Sequence, residues 1–211
     1  MDRKRPGEMD PRKQFNFLKR RPIMVMYEFL HAIGQDSHRF ADLIANGHTA
    51  VSNDNRKLIL GGYVIPDGRP LQANSDGDVV LHALTNAISG ITCINVLGET
   101  ADSLCLEKGI KDSRKYVELA LDSLSDGEIT HVSISIECKT PRLSGHIENM
   151  RLSIADILHI SPGSIGITAT SGEGLSAFGR GEGIMVFCSV TVRRISGDFS
   201  EVPPTEGPLV L

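Results

Sequence analysis

Asp36 and His38 are separated by one residue. In a strand, residues two apart point to the same face, so this carboxylate and imidazole would converge as two ligands of a metal ion. Taken alone, such a pair reads more readily as polar residues at a strand end. A second segment, Asn74-Ser75-Asp76-Gly77-Asp78-Val79-Val80-Leu81-His82, puts acids at the start of a helix, where they cap it and complement its positive end. His82 follows Asp78 by one turn among apolar residues, a place usually held by a core or rim histidine. Joined to Asp36 and His38, it completes an Asp-His-His set that leaves tetrahedral zinc one open position. The same acids do not make a calcium loop, because the ligands at every second residue end too soon.

A third segment runs Thr168-Ala169-Thr170-Ser171-Gly172-Glu173-Gly174, then Phe178-Gly179-Arg180-Gly181-Glu182-Gly183. Small residues and hydroxyls let backbone N–H groups approach phosphates closely, and Glu173 could hold a hard divalent cation. Glycine density alone would mean only a loop between strands; the hydroxyl–acid combination points to a diphosphate site. The Gly-Lys-Ser/Thr ending of a P-loop is missing.

The elements that must position these groups can be read from periodicity. Strands are predicted from Leu30 to His38, within Asn55 to Ile65, from His131 to Glu137, and near 164–170 and 184–194. Helices are predicted from Asp76 through about Ile88 with a stop at Gly90, after an Asp112-Ser113 cap, and from His146 to His159. Strands and helices in alternation predict a two-layer α+β or α/β domain with helices on one sheet face. The domain is expected over 26–195, between a basic extension (1–25) and a tail (196–211). Residues 1–21 carry eight Lys/Arg against three acids; with −4 overall, the remainder carries −9, which disfavours nucleic acid as a partner. The basic head could be a nucleic-acid arm or a transit peptide, but it reads better as a solvated extension. No apolar run is long enough to span a bilayer. The four cysteines show no framework spacing and suit reduced thiols in a cytoplasmic protein.

D-S-H-R-F, S-D-G-D-V-V-L-H-A-L, T-A-T-S-G-E and G-R-G-E-G-I, in that order, resemble the 2-C-methyl-D-erythritol 2,4-cyclodiphosphate synthase family, over about Ile33 to Arg194. Lys111-Asp112-Ser113-Arg114, Pro141-Arg142-Leu143 and His146 fit as well, and the wording is nearest to the variant of chlamydia-like bacteria. The resemblance implies a mixed four-stranded sheet with helices on one face, the sheets of a homotrimer facing its axis, and active sites between subunits. It implies zinc on Asp36, His38 and His82, and magnesium or manganese on Glu173. Substrate contacts follow at Asp36, Ser37, His38, Asn74, Ser75, Leu97, Gly98, Lys139, Pro141, Arg142, Thr170, Ser171, Gly172, Glu173, Phe178 and Arg180. Asn74 stands where many members have a His that stabilises the transition state, and Ser171 stands for the usual Thr; both are expected to be catalytic. Arg180 and Glu182 match a pair near the trimer axis. The family's D-I-G and F-P-x-T-D lid is replaced by Val96 to Asp102. The implied reaction converts 4-diphosphocytidyl-2-C-methyl-D-erythritol 2-phosphate to a cyclic diphosphate with loss of CMP, in the non-mevalonate isoprenoid pathway. A zinc phosphohydrolase and a silent diphosphate-binding trimer are the alternatives.

Overall fold

The computed structural model describes residues 25–41, 56–98, 105, 109–125 and 127–196. Its elements in chain order are β1 (Tyr27–Arg39), β2 (Leu58–Leu60), β3 (Tyr63–Ile65), α1 (Val79–Thr92), α2 (Arg114–Asp122), β4 (Gly127–Glu137), α3 (Ile147–Leu158), β5 (Ile165–Thr170) and β6 (Gly183–Ile195). The extensions expected at 1–25 and 196–211 lie outside the described residues except for Val25 and Ser196. The replaced lid lies outside them from residue 99 to Asp102.

Strands β1, β6, β4 and β5 form a mixed sheet in that order. β6 runs antiparallel to both neighbours, and β4 runs parallel to β5. A parallel pair needs a crossover, and α3 supplies it. Alternation sorts the side chains into two faces. Inward from β6 and β4 point Val186, Cys188, Val190, Ile134 and Ile136, which meet Val80, Leu84 and Ile88 of α1 in one buried cluster. Each such side chain stabilises the fold by about 1.5–3 kcal/mol relative to exposure. Outward point Phe29, Ile33 and Phe187, which are 56%, 71% and 40% exposed. The fold is therefore α+β, with the three α-helices named among the described residues over one face of the sheet. No described helix is long and apolar enough to cross a membrane.

Three local expectations change. The single strand read within Asn55 to Ile65 is a hairpin, because Gly61 and Gly62 both take positive φ (63° and 73°) and reverse the chain between β2 and β3. Gly90 does not stop α1, which continues to Thr92 and ends on Cys93 in a left-handed conformation. The glycine serves packing instead: a Cβ there would sit 3.0 Å from the Cβ of Ala32. At Gly34 the approach is closer still, since a Cβ would lie 2.1 Å from the Ala83 carbonyl oxygen. Finally, Ser113 makes no capping bond to α2. Asp112 Oδ1 instead accepts from the N–H of Arg114 at 3.0 Å, and the serine side chain faces α1.

The start of α1 is fixed by Asp78. Its carboxyl group accepts from the N–H groups of Val80 and Leu81, and from Gly61 and Gly62 of the hairpin turn at 2.8 and 2.6 Å. One buried side chain thus ties the hairpin to the helix that carries His82. Burial pushes the Asp78 carboxyl up to about 6, against the pull of those N–H donors.

Candidate metal centre and active site

Close contact at Gly34 brings α1 against β1 and sets His82 beside the inward residues Asp36 and His38. Asp36 Oδ2 lies 2.9 Å from His82 Nδ1 and 3.0 Å from His38 Nε2, and the two imidazole nitrogens are 3.3 Å apart. Bonds of about 2.0 Å put ligand atoms about 3.3 Å apart on a tetrahedron, so this triangle fits a small divalent ion with little adjustment. Among the described residues these three are the group that could hold a metal.

The ring nitrogens turned away from the triangle are also occupied. His38 Nδ1 donates to the Gln72 carbonyl oxygen at 2.9 Å, leaving Nε2 free to bind. His82 Nε2 is 3.0 Å from Ser113 Oγ and 3.4 Å from Ser75 Oγ. Burial disfavours charge on Asp36, but hydrogen bonds and attraction from His38 and His82 outweigh it and hold the carboxyl well below the usual carboxylate range. His38 is opposed by burial too, yet Asp36 raises its proton affinity above the ordinary value. Both shifts report one attraction, between the Asp36 carboxylate and the imidazoles beside it.

The triad opens into a cavity of about 280 Å³, also lined by Asn74, Ser75, Leu97, Gly98, Asn86, Cys105 and Tyr116. The first four were expected from the sequence. Asn86, Cys105 and Tyr116 were not, because their spacing reads as ordinary helix and loop. Ser37 points the other way, onto the uncovered sheet face, as alternation requires of the residue between Asp36 and His38.

A second cavity, of about 530 Å³, is lined by Lys139, Arg142, Ala169, Thr170 and Ser171 with Cys138, Thr140 and Ser144. Pro141 sits in its rim turn, after a cis peptide bond. Beside it, Ser171 Oγ donates to Glu173 Oε1 at 2.7 Å, and Glu173 adopts a left-handed φ of 46°. A non-glycine residue in that region is strained, and such strain gathers at functional loops. The loop is pressed close to its surroundings: a Cβ on Gly172 would lie 2.1 Å from Glu137 Oε1. Phe178 and Arg180 line neither cavity, and Arg180 pairs with Glu182 at 2.9 Å.

The two cavities stand at one end of the sheet but on different strands. Ser37, Met185, Glu137 and Thr170 form one row across β1, β6, β4 and β5. Three strand spacings of about 4.8 Å put β1 and β5 about 14 Å apart. The residues expected to be catalytic, Asn74 and Ser171, therefore belong to separate cavities within this chain.

The profile of the YgbB family matches residues 29–193. A 2-C-methyl-D-erythritol 2,4-cyclodiphosphate synthase of Chlamydia felis is 46% identical over 166 residues, covering 78% of this chain and 89% of that protein. The protein of the same name from Chlamydia caviae is 47% identical over 161 residues, covering 76% and 86%. Among solved structures, the bifunctional IspDF from Campylobacter jejuni is similar with a TM-score of 0.69 and 28% identity, covering 81% of this chain and 44% of that one. IspF of Plasmodium falciparum, solved as a CDP complex, has a TM-score of 0.63 at 21% identity over 80% of this chain and 97% of that one, a likeness of fold.

Proposed function

The chain belongs to the YgbB family, that of the 2-C-methyl-D-erythritol 2,4-cyclodiphosphate synthases, and from that premise we infer how its residues divide the family's reaction. The enzyme cyclises 4-diphosphocytidyl-2-C-methyl-D-erythritol 2-phosphate in non-mevalonate isoprenoid synthesis. A 2-phosphate oxygen bonds to the β-phosphorus, the bond from that phosphorus to the bridging oxygen breaks, and CMP departs with that oxygen. Nucleophile and leaving group belong to one molecule, so the protein chiefly positions them and stabilises developing charge.

Asp36, His38 and His82 would hold zinc, and Glu173 a magnesium or manganese ion. Ions at those places supply positive charge between phosphates that otherwise repel. Ser75 and Asn74, beside the triad, orient the phosphate nearest it. Thr170 and Ser171 offer hydroxyls, and the N–H groups of Gly172 and Glu173 make only long contacts of 3.3 and 3.5 Å to those side chains. A phosphate oxygen is a stronger acceptor and can take both over. Lys139 and Arg142 add positive charge to the cavity assigned to the cytidine portion, and Leu97 and Gly98 border the erythritol.

The observation that carries this reading is the convergence of three ligand atoms at the mouth of a cavity that Asn74 and Ser75 share. The distance to the Glu173 loop supports a further step. Three copies meet with their uncovered sheet faces toward a common axis, joining the triad of one chain to the loop of the next. Phe29, Ile33 and Phe187 on that face suit burial between copies. Incubation of purified protein with the substrate, followed by phosphorus NMR, is expected to show CMP and a cyclic diphosphate in equal amounts. Release of inorganic phosphate would favour a phosphohydrolase, and CDP binding without product a silent binder. For shared sites, mixing His82→Ala and Glu173→Gln proteins should raise turnover above that of either variant alone.

A further inference from the structure

We propose that Asp76 and Ser113 are positioning residues that fix the tautomer in which His82 offers Nδ1 to the metal. The proposal rests on the metal reading of Asp36, His38 and His82, but concerns two residues outside that set. Ser113 is fully buried, and its Oγ lies 3.0 Å from His82 Nε2. The same hydroxyl donates to Asp76 Oδ1, and the Ser113 N–H donates to Asp76 Oδ2 at 3.0 Å. The backbone N–H of Asp76 is held by the Lys111 carbonyl oxygen at 2.9 Å, which anchors the main chain that carries this carboxylate.

Counting protons gives the chain a direction. A carboxylate only accepts, and a hydroxyl has one proton to donate. The Ser113 proton is committed to Asp76, which leaves Ser113 Oγ a lone pair facing His82. Nε2 must then carry a hydrogen, and Nδ1, whose own proton is shared with Asp36 at 2.9 Å, is the nitrogen an arriving ion can take over. Asp76 thereby draws the Nε2 proton outward through Ser113 and makes Nδ1 the better ligand, as a carboxylate does when it bonds a metal-binding imidazole directly. Ser75 Oγ is a weaker substitute, because it is 3.4 Å from Nε2 and already accepts from the Gly77 N–H.

The rival role is a plain loop clamp, joining the turn before α2 to the start of α1. A clamp would lower the stability of metal-free and zinc-loaded protein alike and leave zinc affinity unchanged. Competition with a chromogenic chelator, on unsubstituted protein and on Ser113→Ala, Asp76→Asn and Ser113→Thr, separates the two. Ser113→Ala and Asp76→Asn are expected to weaken zinc binding by about 10–100-fold, while Ser113→Thr, which keeps the hydroxyl, stays near the parent. Unchanged affinity in Ser113→Ala would overturn the proposal. Should the variants fail to fold, nitrogen-15 NMR of the zinc-loaded parent decides. An Nε2 proton on His82 shifted downfield by a hydrogen bond and protected from exchange supports the proposal, and a protonated Nδ1, or an Nε2 proton without that hydrogen bond, sinks it. A parent protein that takes up no zinc would overturn the metal reading itself, a different result from an intact site indifferent to Ser113.

Discussion

Around the Asp36–His38–His82 triangle, both imidazoles are braced from behind, one by the Gln72 carbonyl and the other by Ser113. His82 lies almost wholly inside the protein. Around Glu173 the support is of another kind: Thr170, Ser171 and Glu173 are exposed, and Leu175 is 89% exposed. That loop is held through its backbone, by the close approach of Gly172 to Glu137 and of Gly179 to the Gly172 carbonyl. A metal triad needs side chains fixed to within tenths of an ångström. A loop that is to hold phosphate, the role proposed for this one, needs only backbone donors and room. The comparison teaches that one region is finished by its own chain's packing, while the other is shaped but left open on the side the proposed neighbour would fill.

The largest expected effect breaks the braced region. His82→Ala removes one of three protein ligands and should weaken zinc binding by more than about 100-fold, the upper end of what losing a ligand's outer hydrogen-bond partner costs. Far-UV circular dichroism should remain close to the parent. A full zinc complement in the purified variant would refute the ligand assignment.

Gly34→Ala tests whether that region depends on backbone contact. The new Cβ would meet the Ala83 carbonyl and the Ala87 nitrogen at 2.1 and 2.3 Å, so α1 must move off β1. Overpacking of this kind costs about 1–3 kcal/mol, and here it should weaken zinc binding as well, since it displaces His82 relative to Asp36. Urea unfolding with parallel metal titration reads both. Loss of stability with unaltered zinc affinity would mean the triad tolerates movement of α1.

Glu173→Gln addresses the open region. The mass of the assembly and the zinc content should stay unchanged while turnover falls about 100-fold, the lower end of what losing one group that stabilises transition-state charge costs. Added magnesium or manganese should restore part of it. Near-normal turnover at low magnesium would leave Glu173 an ordinary loop residue.

The smallest effect is graded with pH. Asp36 raises the proton affinity of His38, so in metal-free protein the protonated pair stabilises the fold at low pH, and that stabilisation is lost as pH rises through the elevated value. An incoming ion must displace this proton. Zinc affinity should therefore fall by about tenfold per pH unit below that value and level off above it. Asp36, held well below the usual range, adds nothing to the change across this window. Flat affinity over several neighbouring pH values would show that His38 binds no proton there.

Much of the candidate ligand set was legible because it rests on periods. Asp36 and His38 share a face by strand alternation, and His82 follows the helix that Asp78 opens. The Gly61-Gly62 pair was misread because two glycines in an apolar run look like strand until their positive φ values are known. Gly90 was misread because a helix stop and a close helix–strand contact ask for the same residue. Ser113 was taken for a cap, since Ser before a helix has that role more often than it supports an imidazole 31 residues away.

Residue types and short spacings, properties of the chain itself, determined most of the strands and helices, the acidic start of α1 and the pool of candidate metal and phosphate ligands. Tertiary structure alone decided that His82 meets Asp36 across 46 residues, that Ser113 and Asp76 stand behind it, and that the Glu173 loop lies on another strand about 14 Å away. The reason is physical. Local periodicity sets which way a side chain faces, whereas its partners depend on how closely two backbones approach, and here a missing Cβ at Gly34 lets α1 come near enough to close the triad.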